Sequence, residues 1–109
     1  GAIYEGVGKE GPVVSGKMAV GFAEYSAEYG PMEPHHHAEE TIYVVDSRKG
    51  TFRFGESPEK LSDPQPLEAG MLIHFPEMEW HVFEYGEGGY VKIIFIYGQV
   101  DRIRPEEMQ

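Results

Sequence analysis

The 109 residues fit one domain, and 9 Lys and Arg against 19 Asp and Glu give a net charge of −10. That balance is unsuited to a nucleic-acid backbone or an anionic membrane face. The chain has no Cys, which removes disulfides, thiolate metal sites and a cysteine nucleophile. With no apolar run near the ~20 residues of a membrane span and no charged-then-apolar leader, the default location is the cytoplasm.

The 14 Gly and 8 Pro are spread along the chain, which suits many short strands better than long helices. Residues 1–17 are Gly-rich, with a β-like patch at Pro12, Val13 and Val14, and are expected to form a loosely attached arm. From Lys17 to Ser26 the pattern has period two: Met18, Val20 and Phe22 on one face, Ala19, Gly21, Ala23 and Tyr25 on the other. Gly30, Pro31 and Pro34 then break the strand and deliver His35, His36 and His37, followed by Glu39 and Glu40. Residues 41–45 are β-formers, 46–50 predict a polar turn, and 51–54 predict another strand.

Residues 56–69 hold Pro58, Pro64 and Pro66 and predict a loop with room for one helical turn. Strands are expected at 71–75 and 80–84, separated from a last strand by the Gly-rich segment 86–89. Residues 90–97 are the most hydrophobic and are expected at the centre of the sheet. A helical turn near Pro105 would close the tail. The domain thus divides into an arm (1–17), a barrel core (18–97) and a tail (98–109). Eight or so short antiparallel strands leave a sandwich or a jelly-roll barrel.

The histidines carry the chemistry. Imidazole and carboxylate are ligands for Fe, Mn, Ni, Zn or Cu. On an extended segment His35 and His37 project to one face and His36 to the other. Glu40 can swing into the same interior, and His81 completes a three-His, one-Glu set if its strand lies alongside. His74 lies between Ile73 and Phe75, whose parity is the buried one, so it faces outward. Arg53 is expected at the surface, Trp80 in packing, and the acidic set Glu77, Glu79, Glu84 and Glu87 on a solvated rim. Tyr43, Tyr85 and Tyr97 are candidates to line a pocket, and parity does not choose among them.

These residues resemble the cupins. Their second motif (Gly, five residues, Pro-x-Gly, two residues, His, three residues, Asn) matches Gly70, Pro76 and His81 in spacing, with Met78 in place of the glycine and Tyr85 in place of the asparagine. Residues 41–45 and 50–55 also look like cupin strands. The first motif (Gly, five residues, His-x-His, three or four residues, Glu) departs: Gly30 is one residue too near His35, and Glu40 one too near His37. A one-residue loop deletion keeps His35, His37, Glu40 and His81 as ligands; the competing register substitutes His36 for His35 or His37.

The resemblance implies an all-β double-stranded β-helix that holds one divalent transition metal, Fe, Mn, Ni or Zn. It implies a small metal-dependent enzyme of the oxygenase, isomerase, decarboxylase or lyase type, acting on a small carbonyl- or carboxylate-bearing molecule. The alternative is a non-catalytic cupin that binds or senses a metal or small ligand. By the same resemblance, the expected partners are a small molecule and a second copy of the chain, with no nucleic acid and no membrane. No catalytic residue beyond the ligands stands out in the sequence.

Overall fold

A computed structural model describes residues 2–100. The strands are β1 (Ala2–Gly8), β2 (Val13–Val14), β3 (Ala19–Ser26), β4 (Glu40–Gly55), β5 (Gln65–Pro66), β6 (Leu72–Phe75) and β7 (Trp80–Tyr97). A single 3₁₀ turn, Ala27–Tyr29, is the helical structure among the described residues, and no helix there is long and apolar enough to cross a membrane. The strand order is β2-β1-β3-β7-β4-β5, with β6 on β4 as well.

The long pair β4–β7 builds the barrel. It stays antiparallel from Glu40 opposite Tyr97 to Gly55 opposite Trp80, with register shifts at 44–46 and 48–50. Gly50 faces Tyr85 and Arg48 faces Tyr90, so residues 86–89 bulge out of the ladder. Extra residues bend a strand and sharpen its twist, so one ribbon serves both walls. The first half of β4 takes β6 on its free edge and the second half takes β5. Alternation does the rest: Ile42, Val44 and Phe52 of β4 and Phe83, Val91, Ile93 and Phe95 of β7 point inward and are buried.

Four expectations need correction. The 46–50 turn and the 86–89 breaker stay within continuous strands, because polar residues and glycines here form bulges instead of ending the pairing. The described residues therefore hold seven strands instead of about eight. The N-terminal arm includes β1, a strand paired with β3 from Ala2 opposite Glu24 to Val7 opposite Val20. A Cβ on Gly21 would strike the Tyr4 carbonyl and the Phe95 ring, so this glycine lets β1 and the core close on β3. The inward face of β3 is the small-residue one, Ala19, Gly21 and Ala23. The central place of 90–97 holds, with β3 on one side and β4 on the other. The helical turn expected near Pro105 lies outside the described residues.

Candidate metal centre

An extended segment, residues 31–39, leads from the 3₁₀ turn to β4 and crosses the start of β7. His35 and His81 face each other there as an antiparallel bridge and exchange both backbone hydrogen bonds, His35 N to His81 O at 3.1 Å and His81 N to His35 O at 2.9 Å. Met78 N donates to His37 O at 3.0 Å and ties the turn before β7 to the same segment. Met78 holds a left-handed φ of 71°, the conformation a glycine would supply without strain. The turn of the second motif is thus kept despite the lost glycine.

Alternation sends His35 and His37 inward. Their ligating nitrogens and that of His81 lie within 4.8 Å of one another. His36 goes the other way, stacked on Trp80 with ring centroids 3.9 Å apart. His74 is also outside the cluster, on the surface, 2.7 Å from Glu39 Oε2. Glu40 opens β4 and is buried, with Oε1 3.7 Å from both His37 Nε2 and His81 Nε2. The arrangement therefore brings His35, His37, Glu40 and His81 together and leaves His36 out.

All three imidazoles are oriented by backbone. The Nδ1 atoms lie next to carbonyl oxygens: His35 to Glu33 O at 3.0 Å, His37 to Ala38 O at 2.9 Å and His81 to Glu79 O at 3.0 Å. Carbonyls only accept, so each Nδ1 carries a proton, which in a neutral ring leaves the lone pair on Nε2. This tautomer follows from the bonding network. Phe75 stacks on His81 at 4.2 Å and nearly parallel, holding the ring in place.

Burial pushes the His81 pKa from 6.5 down to about 3, helped by the neighbouring His35, His37 and His36 and opposed by the bond to Glu79 O. His81 is therefore neutral at pH 7. Its Nε2 is buried with no hydrogen-bond partner, which is costly unless something accepts the lone pair. Ligand atoms bound at about 2.1 Å from one ion stand roughly 3–4 Å apart, so the 3.7 Å separations fit a metal. The donor set, three imidazoles and a carboxylate, suits a divalent transition ion.

A cavity of about 450 Å³ opens on this cluster, lined by Tyr25, Tyr29, Tyr85 and Tyr97 together with His35 and His37. The Tyr97 hydroxyl donates to His37 Nε2 across a long 3.4 Å, and Tyr85 donates to Gly30 O at 2.9 Å. Burial raises the Tyr85 pKa, so that donor keeps its proton. Of the three tyrosines singled out in sequence, Tyr43 faces solvent instead. Tyr25 and Tyr29 are the lining tyrosines that sequence reasoning missed. The inward face of β3 was available as a signal for Tyr25; nothing marks Tyr29.

The barrel, its long bent strand pair and the inward histidines define a double-stranded β-helix of the cupin type. Similar solved structures include the DMSP lyase DddQ from Ruegeria pomeroyi, with 17% identity and a TM-score of 0.72 over 99% of this chain and 53% of that one. Fe(II)-HppE is similar over 74% of this chain and 42% of its own, with 16% identity and a TM-score of 0.57. An oxalate decarboxylase matches over 82% of this chain and 23% of its own, with 18% identity and a TM-score of 0.62. The chain thus spans about half the length of the lyase or less of the other two. No protein-family model and no curated protein sequence matches it. Identities this low establish the fold.

Proposed function

We propose that the chain is a metal-binding cupin and a small metal-dependent enzyme, with His35, His37, Glu40 and His81 as the ligands of one divalent transition ion. The observation that carries this is the convergence of three rings each held by a backbone carbonyl at Nδ1, their ligating nitrogens within 4.8 Å of one another and the His81 Nε2 buried with no hydrogen-bond partner. A merely structural histidine cluster has no need to orient every ring the same way. Fe, Mn, Ni and Zn all suit the donor set, and the similarity to Fe(II)-HppE favours trying iron first.

A bound ion would supply Lewis acidity or, with Fe or Mn, a redox couple. The protein's own residues do the rest. Glu40 brings a carboxylate beside His37 and His81. The cavity admits a small molecule beside His35 and His37, with Tyr85 and Tyr97 in its wall. The substrate that fits is small and bears a carbonyl or carboxylate able to reach the ion. The reaction is of the oxygenase, isomerase, decarboxylase or lyase type, and the similar structures, a DMSP lyase and an oxalate decarboxylase among them, support that range. The partners are this small molecule and a second copy of the chain.

Cobalt-substituted protein tests the proposal. Oxalate, 2-oxo acids or azide should alter its absorption spectrum by entering the open side of the site. A cobalt spectrum indifferent to every one of them would replace the enzyme with a cupin that holds metal without turnover.

A further inference from the structure

Tyr85 and Tyr97 both stand in the cavity wall, and the partners of their hydroxyls differ in kind. Tyr85 donates to the Gly30 carbonyl at 2.9 Å, a backbone acceptor that stays available whatever fills the site. Tyr97 donates to His37 Nε2 at 3.4 Å, and that lone pair is the one an ion bound to His37 would take. Tyr97 ends β7 opposite Glu40 on one side and Ala19 on the other, so its ring shares the inward face with the Glu40 carboxylate. The ring is buried, with its centroid 5.1 Å from that of His37 and 5.6 Å from that of Phe95. Of the four ligand candidates, His35 and His37 line the cavity, while Glu40 and His81 are buried outside its wall. The side of the cluster that a small molecule can reach is therefore the side on which Tyr97 stands.

We propose that Tyr97 is a specificity-determining residue: it gives its hydrogen bond to an oxygen of the small molecule held at the metal centre, and so selects oxyanions. The inference deepens the metal-enzyme reading above and rests on it. In the metal-free protein the hydroxyl caps the His37 lone pair. When that lone pair is given to an ion, the contact with His37 ends and the hydroxyl is free to turn to what the ion holds. Donor atoms on one ion stand roughly 3–4 Å apart. The hydroxyl is 3.4 Å from one of those donors, so an oxygen entering beside His37 comes within its reach. A buried hydroxyl keeps a hydrogen bond wherever an acceptor is available. Tyr85 is not released in this way, because no ion competes for the Gly30 carbonyl. Sulfur is a weak acceptor and a carboxylate oxygen a strong one. The class selected is therefore a carboxylate or 2-oxo acid, against a thiol of similar size.

Cobalt-substituted full chain, as wild type and as Tyr97→Phe, titrated with oxalate and with ethanethiol, decides it, since the absorption spectrum reports the entry of each ligand. Tyr97→Phe removes only the hydroxyl oxygen. It should raise the oxalate dissociation constant about 10-fold or more, the size of a hydrogen bond to a charged group, and leave that of ethanethiol unchanged. A role confined to packing would weaken both ligands alike. Tyr43→Phe removes an exposed hydroxyl and should move neither. Infrared spectra of bound azide give a second measurement that does not depend on affinity: the antisymmetric stretch should shift in Tyr97→Phe and stay in place in Tyr43→Phe. Oxalate affinity unchanged by Tyr97→Phe, an equal loss for oxalate and ethanethiol, or an azide band that does not move overturns the role of Tyr97 and leaves the metal enzyme standing. A wild-type spectrum that responds to neither oxalate nor ethanethiol overturns the enzyme reading, and this inference with it.

Discussion

Acid should unfold the metal-free protein through His81. Its imidazole is 2% exposed and its pKa is lowered from 6.5 to about 3, chiefly by burial. In the unfolded chain the same group takes a proton near its ordinary value. Below about pH 6.5 the unfolded state therefore binds the extra proton, so stability is full above that pH and falls as pH drops toward 3. Between pH 7 and pH 4 the loss is roughly 3 kcal/mol, a large part of the 5–15 kcal/mol that holds a typical domain together. Urea titrations of the chelator-treated protein at stepped pH values measure it. The His81→Gln variant, which cannot take the proton, is the reference: its stability should fall about 3 kcal/mol less over the same window. Parallel slopes for wild type and His81→Gln would refute the assignment of a buried, neutral imidazole.

Three further outcomes follow from the geometry. Met78→Gly should stabilise the protein by up to about 1 kcal/mol, because Met78 is half exposed and pays for a left-handed φ of 71°; a thermal midpoint lowered by several degrees would show that its side chain matters more than its backbone. Gly21→Ala should cost about 2 kcal/mol or more, since the new methyl meets the Tyr4 carbonyl and the Phe95 ring. Unchanged urea stability in that variant would mean that β1 is not held against β3. Tyr97→Phe should leave metal affinity within a few-fold, because the hydroxyl stands beside a ligand candidate and is not in the donor set; loss of the ion on isothermal titration would make Tyr97 a ligand.

Much of the site was legible because it depends on local spacing. The interval from Gly70 through Pro76 to His81 fixes a strand, a turn and the next strand, and the alternation of 35–37 fixes which imidazoles share a face. Which of the two faces turns inward was not local. It depends on a bridge between His35 and His81, 46 positions apart in sequence, which period-two reasoning does not contain. The cavity wall was unreadable for the same reason: Tyr97 reaches His37 only because the end of β7 lies beside Glu40. In the fold, the inward pattern of 41–45 and 90–97 was legible from hydrophobic content. Residues 46–50 and 86–89 were misjudged because a bulge and a turn use the same residues, and the decision belongs to the partner strand. β1 was hidden by its glycines, one of which, Gly8, is buried in the fold.

Metal content per chain, on untagged protein purified without added metal, tests the central claim most directly. The wild type and His36→Ala should each hold about one transition ion per chain, while His37→Ala and His81→Ala should lose most of it, since each removes one of the converging donors. Metal-free wild type that takes up none of Fe, Mn, Ni or Zn would contradict the account, and so would a His36→Ala variant that loses the ion while His37→Ala keeps it.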